Sequence, residues 1–312
     1  MQYTSDRAPK VLVLMASYNP PFGINNQVES IYDQKGVEIK LIISDDNSSS
    51  KSVQNLNHVL GKFPDLQIIF RKKQSGSAGQ NFFSLFRDVD ISGYDYVSFS
   101  DQDDIWDKHK LCRATSILNT DGAFGYSAST LAVWSNGKKI ILRQSSKITK
   151  TDYLFEGAGQ GCTFVLKADF FRKVQQFCIK NENLIKDFYY HDWLVYLLCR
   201  VWGMKWYFDE LATMSYMQHD NNDTGARAGI GAILKRFKLI SSGWYKYQII
   251  LATNIAIRAG GSSDELFKFD HFMNNQQTMI SRILNAKLFF KFGRRKLSGK
   301  VVLFVSCILG FI

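Results

Sequence analysis

Between residues 10 and 110 the chain alternates short apolar runs with longer segments whose apolar residues recur every three or four positions. Residues 11–16 are continuously apolar between polar flanks, the pattern of a strand buried on both faces. Residues 23–34 then place Ile24, Val28 and Ile31 on one helical face. The pair of patterns repeats: a strand over 37–43, a helix over 51–62 with Val53, Leu56 and Leu60 inward, then a strand over 66–70. A helix beginning near Ala78 faces inward through Phe82, Phe83, Leu85 and Phe86, and a fourth strand covers 94–100. Such alternation predicts an α/β domain with a mostly parallel, Rossmann-like sheet and helices on both of its faces.

After residue 122 the order changes. Residues 124–134 and 138–142 flank Asn136-Gly137, a preferred tight turn, and read as a hairpin. Gly157, Gly159 and Gly161 lie in a small-residue stretch that allows close approach of a bulky ligand. A short strand over 164–167, a helix over 168–178, an apolar helix opening at His191-Asp192-Trp193, and a strand over 205–208 complete this half.

Polar clusters interrupt the pattern at 17–19, 45–50, 71–81 and 101–104, each at the end of a predicted strand. In parallel sheets ligands bind beyond the carboxyl ends of the strands. The last cluster, Asp101-Gln102-Asp103-Asp104, packs three carboxylates into four positions. Such groups repel one another, and hard oxygen ligands suit a divalent metal, Mg²⁺ or Mn²⁺. A plain capping role for Asp103 or Asp104 is the alternative, and the coincidence of four clusters at strand ends weighs against it. The turn at 75–79 matches neither a phosphate-binding loop nor a dinucleotide fingerprint, although Arg71 before it is placed to neutralise a phosphate. Asp192 is either a first-turn carboxylate favoured by the helix dipole or a base facing the cleft. His219, in the polar cluster at 216–222, is an available metal ligand.

Composition adds location to this picture. With 312 residues, 46% hydrophobic and only 4 prolines, the chain is globular and long enough for one large domain with an appended segment. Five scattered cysteines form no Cys-x-x-Cys pair, which predicts neither a disulfide framework nor a zinc cage and fits a reducing cytoplasm. No basic-then-apolar signal peptide is expected at residues 1–16. The net charge of +11 is local, since residues 227–300 hold 14 Lys or Arg against 3 Asp or Glu. Residues 301–312 carry no charge and follow Arg294-Arg295-Lys296 and Lys300. Twelve helical residues rise ~18 Å against a ~30 Å hydrocarbon core, so the segment is expected to lie on an anionic leaflet rather than span it. Nucleic acid is not expected as a partner, because no aromatic-interleaved basic motif accompanies the charge.

Taken in order, Ala16-Ser17-Tyr18-Asn19, Asp45-Asp46-Asn47-Ser48, Asp101-Gln102-Asp103-Asp104, Gly161-Cys162-Thr163, His191-Asp192-Trp193 and Gln218-His219-Asp220-Asn221-Asn222 resemble family-2 glycosyltransferases of the GT-A fold. The similarity covers roughly residues 10–226, and the basic C-terminal segment is similar to that of bacterial rhamnosyltransferase-like members. The resemblance implies a GT-A domain over 1–226, with a nucleotide-binding half near 10–120 and an acceptor half near 121–226, followed by a basic helical region over 227–312. It implies inverting transfer of a sugar, rhamnose by overall similarity, from a dTDP- or UDP-sugar to a hydroxyl of a glycan or polyprenyl-linked acceptor at the cytoplasmic face of the inner membrane. Ser17, Asn19, Asp46, Arg71 and Asp101 would then line the nucleotide, Asp103 and His219 would hold the metal, and Asp192 would be the general base. Gly161, Cys162 and Trp193 would border the acceptor and sugar pocket. His191 stands where the family more often has Glu. Two rivals remain: a sugar nucleotidyltransferase, whose glycine-rich basic loop is replaced here by Ser17-Tyr18-Asn19-Pro20-Pro21, and a non-catalytic carbohydrate- or membrane-binding scaffold.

Overall fold

The computed structural model describes residues 7–20, 24–144, 147–218, 238–275 and 278–312. The chain divides into two compact units, each treated by itself. The sheet unit comprises the described parts of Met1–Gln144, Gly159–Lys180 and Lys205–Asn221, and the helical unit those of Ser145–Ala158, Asn181–Met204 and Asn222–Ile312.

In the sheet unit, strands β1 (Lys10–Ser17), β2 (Glu38–Asp45), β3 (Gln67–Phe70) and β4 (Tyr96–Ser100) run parallel in the order β3-β2-β1-β4. The helices between them are α1 (Ile24–Tyr32), α2 (Ser50–Lys62) and α3 (Ala78–Asp88), as the apolar periodicity predicts. Beyond β4 the sheet continues through β8 (Val165–Lys167), β6 (Gly125–Trp134), β9 (Trp206–Gln218) and the two-residue β5 (Ile105–Trp106), with β7 (Lys139–Leu142) as the hairpin partner of β6. β8 joins β4 and β6 antiparallel, whereas β6 and β9 are parallel, so the sheet is mixed. Helices α4 (Lys110–Thr120) and α5 (Ala168–Lys180) complete the unit.

Alternation along β1 splits its side chains between two cores. Val11, Val13 and Met15 join Ile24, Val28, Leu56 and Leu111 in one buried cluster. Phe99 of β4 instead meets Phe86 of α3 at 5.2 Å and Phe171 of α5 at 5.9 Å between ring centroids. Full burial of such a ring contributes about 1.5–3 kcal/mol, so this aromatic cluster fixes α3 and α5 on the strand that carries the acidic loop.

β9 runs far beyond the four residues its apolar pattern predicts. Asp209 and Glu210 break that pattern, and the pairing with β6 shifts register there as a bulge. Asp209 is nonetheless buried, because Arg113 donates to both of its oxygens at 2.6 and 3.1 Å and Tyr126 Oη donates at 2.7 Å. A carboxylate normally read as a strand end is thus carried through the sheet by a guanidinium from α4. Gly125 is required where it stands, since a Cβ there would fall 2.3 Å from the Trp206 ring.

The helical unit contains a 3₁₀ turn at Asp152–Leu154 and helices α6 (Glu182–Ile185), α7 (His191–Val201), α8 (Trp244–Arg258), α9 (Asp264–Asn274), α10 (Met279–Phe292) and α11 (Leu297–Ile308). Ser263 and Thr278 cap α9 and α10 by accepting from Leu266 N and Ser281 N. Phe155, Phe269, Phe272 and Phe289 form its aromatic core, with ring centroids 5.0–5.6 Å apart. No helix among the described residues is long and apolar enough to cross a membrane.

Candidate active site

The carboxyl ends of β1, β2 and β4 bring the predicted polar clusters together in the sheet unit. Gln102 ties the acidic loop to the exit of β1: its Oε1 accepts from Ser17 Oγ at 3.1 Å and Tyr18 N at 2.9 Å, and its Nε2 donates to Tyr18 O at 3.1 Å. Asn19, in the left-handed region at φ 42°, accepts from Ser49 N at 2.9 Å and takes Ser48 Oγ on its own N–H at 2.8 Å. It therefore joins the first polar loop to the start of α2. Asp45 holds the second loop by accepting from Ser48 N at 3.0 Å.

Asp46 reaches the third loop, where its two oxygens accept from Ser75 N and Ser75 Oγ, both at 2.8 Å. Each carboxylate oxygen has a further lone pair for a ligand. Arg71 donates through Nε to Ser44 Oγ at 2.8 Å and pairs with Asp88 through Nη1. Its charge is thus already matched by a carboxylate of α3. Two groups that hold this arrangement escaped the reading of the sequence. Asn81 is buried and donates to Ser44 O at 2.9 Å while accepting from Ser44 Oγ at 2.6 Å. Gln27, also buried, donates to Ser100 Oγ at 2.6 Å at the end of β4. A lone polar residue inside an amphipathic helix, such as Gln27 on the face of Ile24, Val28 and Ile31, was the available signal.

The acidic loop itself is strained electrostatically. Asp101 and Asp103 are half-exposed, whereas Asp104 is 1% exposed. Asp104 accepts a long bond from Met217 N at Oδ1, 3.4 Å, and a hydrogen bond from the Cys162 thiol, while Oδ2 has no hydrogen-bond partner among the described residues. Burial, then the charges of Asp101 and Asp103, push its carboxyl well above the usual carboxylate range. Carboxylate oxygens of Asp101 and Asp104 and the thiol of Cys162 lie within 4.8 Å of one another. Burial, then the charges of Asp104 and Asp101, raise the Cys162 thiol as well. Lys110 is fully buried nearby, but its Nζ sits 3.4 Å from the Trp106 ring centroid and has no hydrogen-bond partner among the described residues. Burial holds that ammonium down at about 7. An orphaned carboxylate oxygen in a loop with three acids in four positions fits a hard divalent cation. Gly161 and Cys162 belong to a buried 3₁₀ turn, Gly161–Thr163.

Asp192 and Trp193 lie in the helical unit. Asp192, half-exposed in the first turn of α7, accepts from Trp193 N at 2.7 Å. Trp193 is 4% exposed and donates through Nε1 to Tyr153 O at 2.7 Å, so its indole packs within the unit. Burial depresses His191 to about 3, which keeps its imidazole neutral. Just before them, the half-buried Tyr189, Tyr190 and Trp244 meet edge to face at 4.7–6.2 Å. His219 lies outside the described residues.

Comparison with known proteins places these features in a family. The chain is 35% identical to the dTDP-rhamnosyl transferase RfbG of Shigella flexneri over 298 residues, covering 95% of this chain and 99% of that one. Its fold is similar to that of S. aureus TarS 1-349 in complex with UDP-GlcNAc, with a TM-score of 0.57 at 14% identity over 96% of this chain and 81% of that one. It is also similar to the mannosyltransferase PcManGT of Pyrobaculum calidifontis in complex with GDP-Man and Mn²⁺, with a TM-score of 0.55 at 13% identity over 98% and 76% of the two chains. The pattern of glycosyl transferase family 2 matches residues 12–174, from β1 through α5. A GT-A sheet with its polar loops at the strand ends, together with these matches, makes this chain a member of glycosyl transferase family 2.

Proposed function

We propose that the protein transfers rhamnose, with inversion, from dTDP-rhamnose to a hydroxyl of a lipid-linked or cell-surface glycan. The observation that carries this reading is the near full-length similarity to a dTDP-rhamnosyl transferase. Ser17, Asn19, Asp46 and Arg71 line the nucleotide, and the loop that Asp46 holds through Ser75 shapes its pocket. Asp103 and His219 would hold a divalent ion, Mg²⁺ or Mn²⁺, with Asp101 beside the nucleotide's ribose and the buried Asp104 next to these two acids. When bound, that ion supplies charge to offset the departing diphosphate. The orphaned oxygen of Asp104 supports this assignment, as does the Mn²⁺ named with one structural neighbour.

Asp192 takes the proton of the acceptor hydroxyl from within ~3 Å as that oxygen attacks the anomeric carbon opposite the leaving group. One carboxylate suffices for such a displacement, and the sugar inverts without a covalent intermediate. In the sheet unit Gly161 and Cys162 are assigned to sugar or acceptor, and in the helical unit Trp193 is assigned to the acceptor, with Tyr189, Tyr190 and Trp244 offering aromatic faces for a sugar ring. Product from dTDP-rhamnose should carry the anomeric configuration opposite to the donor, and Asp192→Asn should lower its rate of formation at least ~10²-fold. Retained configuration would overturn the single-displacement reading.

The acceptor reading includes attachment to an anionic leaflet at the cytoplasmic face. Ile280 and Leu284 of α10 are 73% and 61% exposed, and Leu297, Val301 and Val305 of α11 are 67%, 47% and 46% exposed, with exposed Lys287, Lys291 and Lys296 on the same two helices. Apolar faces next to lysines suit a surface with negative headgroups. Leu303 and Cys307 are buried in the unit, so surface substitutions test attachment more cleanly than truncation. Val301→Glu with Ile280→Glu should release the protein from anionic vesicles while donor binding persists. Unchanged sedimentation with vesicles would sink the membrane reading.

A further inference from the structure

The basic cluster Arg294-Arg295-Lys296 is divided in the structure. Lys296 is exposed, while both arginines turn inward within the helical unit. The Arg295 side chain is 5% exposed; its Nη1 donates to Asp152 Oδ2 at 2.9 Å and its Nη2 to Gly157 O at 2.5 Å. Its backbone N–H donates to Glu156 Oε1 at 2.6 Å, and Arg294 Nε reaches Glu156 Oε2 at 3.2 Å. The connection between α10 and α11 therefore grips residues 152–157 from one side.

The same strip carries α7 on its other side. Asp152, fully buried, accepts from Tyr196 Oη at 2.7 Å and from Arg200 Nη1 at 2.6 Å. At the first turn of α7, Trp193 Nε1 donates to Tyr153 O at 2.7 Å, and a Cβ added to Gly157 would stand 3.2 Å from Trp193 Cα. Trp193 directly follows Asp192 and donates its N–H to that carboxylate. Asp192 thus rests on a strip of chain whose shape is set from more than 100 residues away.

We propose that Arg295 is a positioning residue for Asp192: by holding Asp152 and the Gly157 carbonyl together, it fixes the surface on which the first turn of α7 sits. The proposal rests on Asp192 being the base. A guanidinium is needed because its planar fork donates in two directions at once, to a carboxylate and to a carbonyl, where an ammonium is a single point of charge. Small displacements of a catalytic group by distant substitutions cost up to ~10²-fold in rate.

The test uses the full chain and dTDP release from dTDP-rhamnose with water as acceptor. Arg295→Lys and Arg295→Met are compared with wild type, alone and combined with Asp192→Asn, and melting temperatures report folding. Both single variants should lose at least ~10-fold in kcat, with donor KM within about twofold. Neither should lower kcat further once Asp192 is Asn, because two residues acting as one unit are non-additive. An unchanged kcat overturns the proposal, as does an equal fall in both backgrounds, which marks a general structural loss. Should Arg295→Met fail to fold, Arg295→Lys, which keeps the charge, carries the comparison. Wild-type turnover by Asp192→Asn alone would defeat the base assignment itself, whereas an inactive Asp192→Asn beside fully active Arg295 variants would defeat only the positioning role.

Discussion

Two buried aspartates, one in each unit, show what the protein does with carboxylates it removes from water. Asp152 in the helical unit is fully buried and meets two guanidiniums and a phenol at 2.6–2.9 Å. Asp104 in the sheet unit is as deeply buried, yet it has one long backbone bond, a thiol donor, an orphaned oxygen and two neighbouring acids, with the Lys110 ammonium as the nearby positive charge. Burying a charge without partners costs several kcal/mol. The first aspartate is a finished structural element. The second is tolerable only with a proton or a cation, and it stands next to the loop assigned to the sugar nucleotide. On the function proposed above, the difference separates a carboxylate that builds the fold from one kept for a ligand.

Breaking the finished site should have the largest effect. Asp152→Ala leaves the buried Arg295 and the half-buried Arg200 without their shared anion and should cost about 3–5 kcal/mol of stability in denaturant melts. A loss under about 1 kcal/mol would mean that the network is not cooperative. Next in size, Asp192→Asn should lower the rate at least ~10²-fold, about 2.7 kcal/mol, while nucleotide binding by the sheet unit is kept. Loss of both together would show that the substitution disturbs more than a base.

Asp104→Asn should behave in the opposite sense to Asp152→Ala. Because the folded carboxyl titrates above its unfolded range, beyond about pH 4 the folded state keeps a proton that the unfolded chain has released, and the metal-free protein loses stability as pH rises over that interval. Asp104→Asn should flatten that decline and melt no lower than wild type at neutral pH without metal. A lower melting temperature across the whole range would place Asp104 with the structural aspartates. His191 sharpens the comparison at the acid side, with an effect confined to pH below about 6.5. Its imidazole is held near 3 by burial, so the unfolded chain takes up the proton first, and stability falls as pH drops below about 6.5. His191→Gln should remove that part of the acid sensitivity, and an unchanged pH profile would mean that the ring is hydrated.

The two units also differ in how far the sequence discloses them. Strands β1, β2 and β4 are parallel and mostly buried, with β3 exposed at the sheet edge, and their apolar-rich runs, with polar clusters at their carboxyl ends, locate both fold and candidate site. β9 was foreseen for only its first residues, because Asp209 reads as an end until Arg113 and Tyr126 are known to surround it. Within Asp101-Gln102-Asp103-Asp104 the three acids look alike in sequence. Only the turn of the loop into β5 decides that Asp104 is buried and the other two are half-exposed. The helical unit was less readable still. Arg294 and Arg295 are indistinguishable from Lys296 as a run of basic residues, and the partners that draw them inward, Asp152 and Glu156, lie roughly 140 positions earlier.

The central claim is that the acidic loop of the sheet unit binds a nucleoside diphosphate together with a divalent ion. Its most direct test is the melting temperature of the full chain with dTDP alone, with Mn²⁺ or Mg²⁺ alone, and with both, in wild type and Asp103→Ala. Ligand at ~100 times its dissociation constant adds about 2.7 kcal/mol to the folded state. A shift of that size with nucleotide and metal together, lost in Asp103→Ala, is the result expected. A full shift with dTDP alone that survives Asp103→Ala, or no shift with either metal, would contradict it.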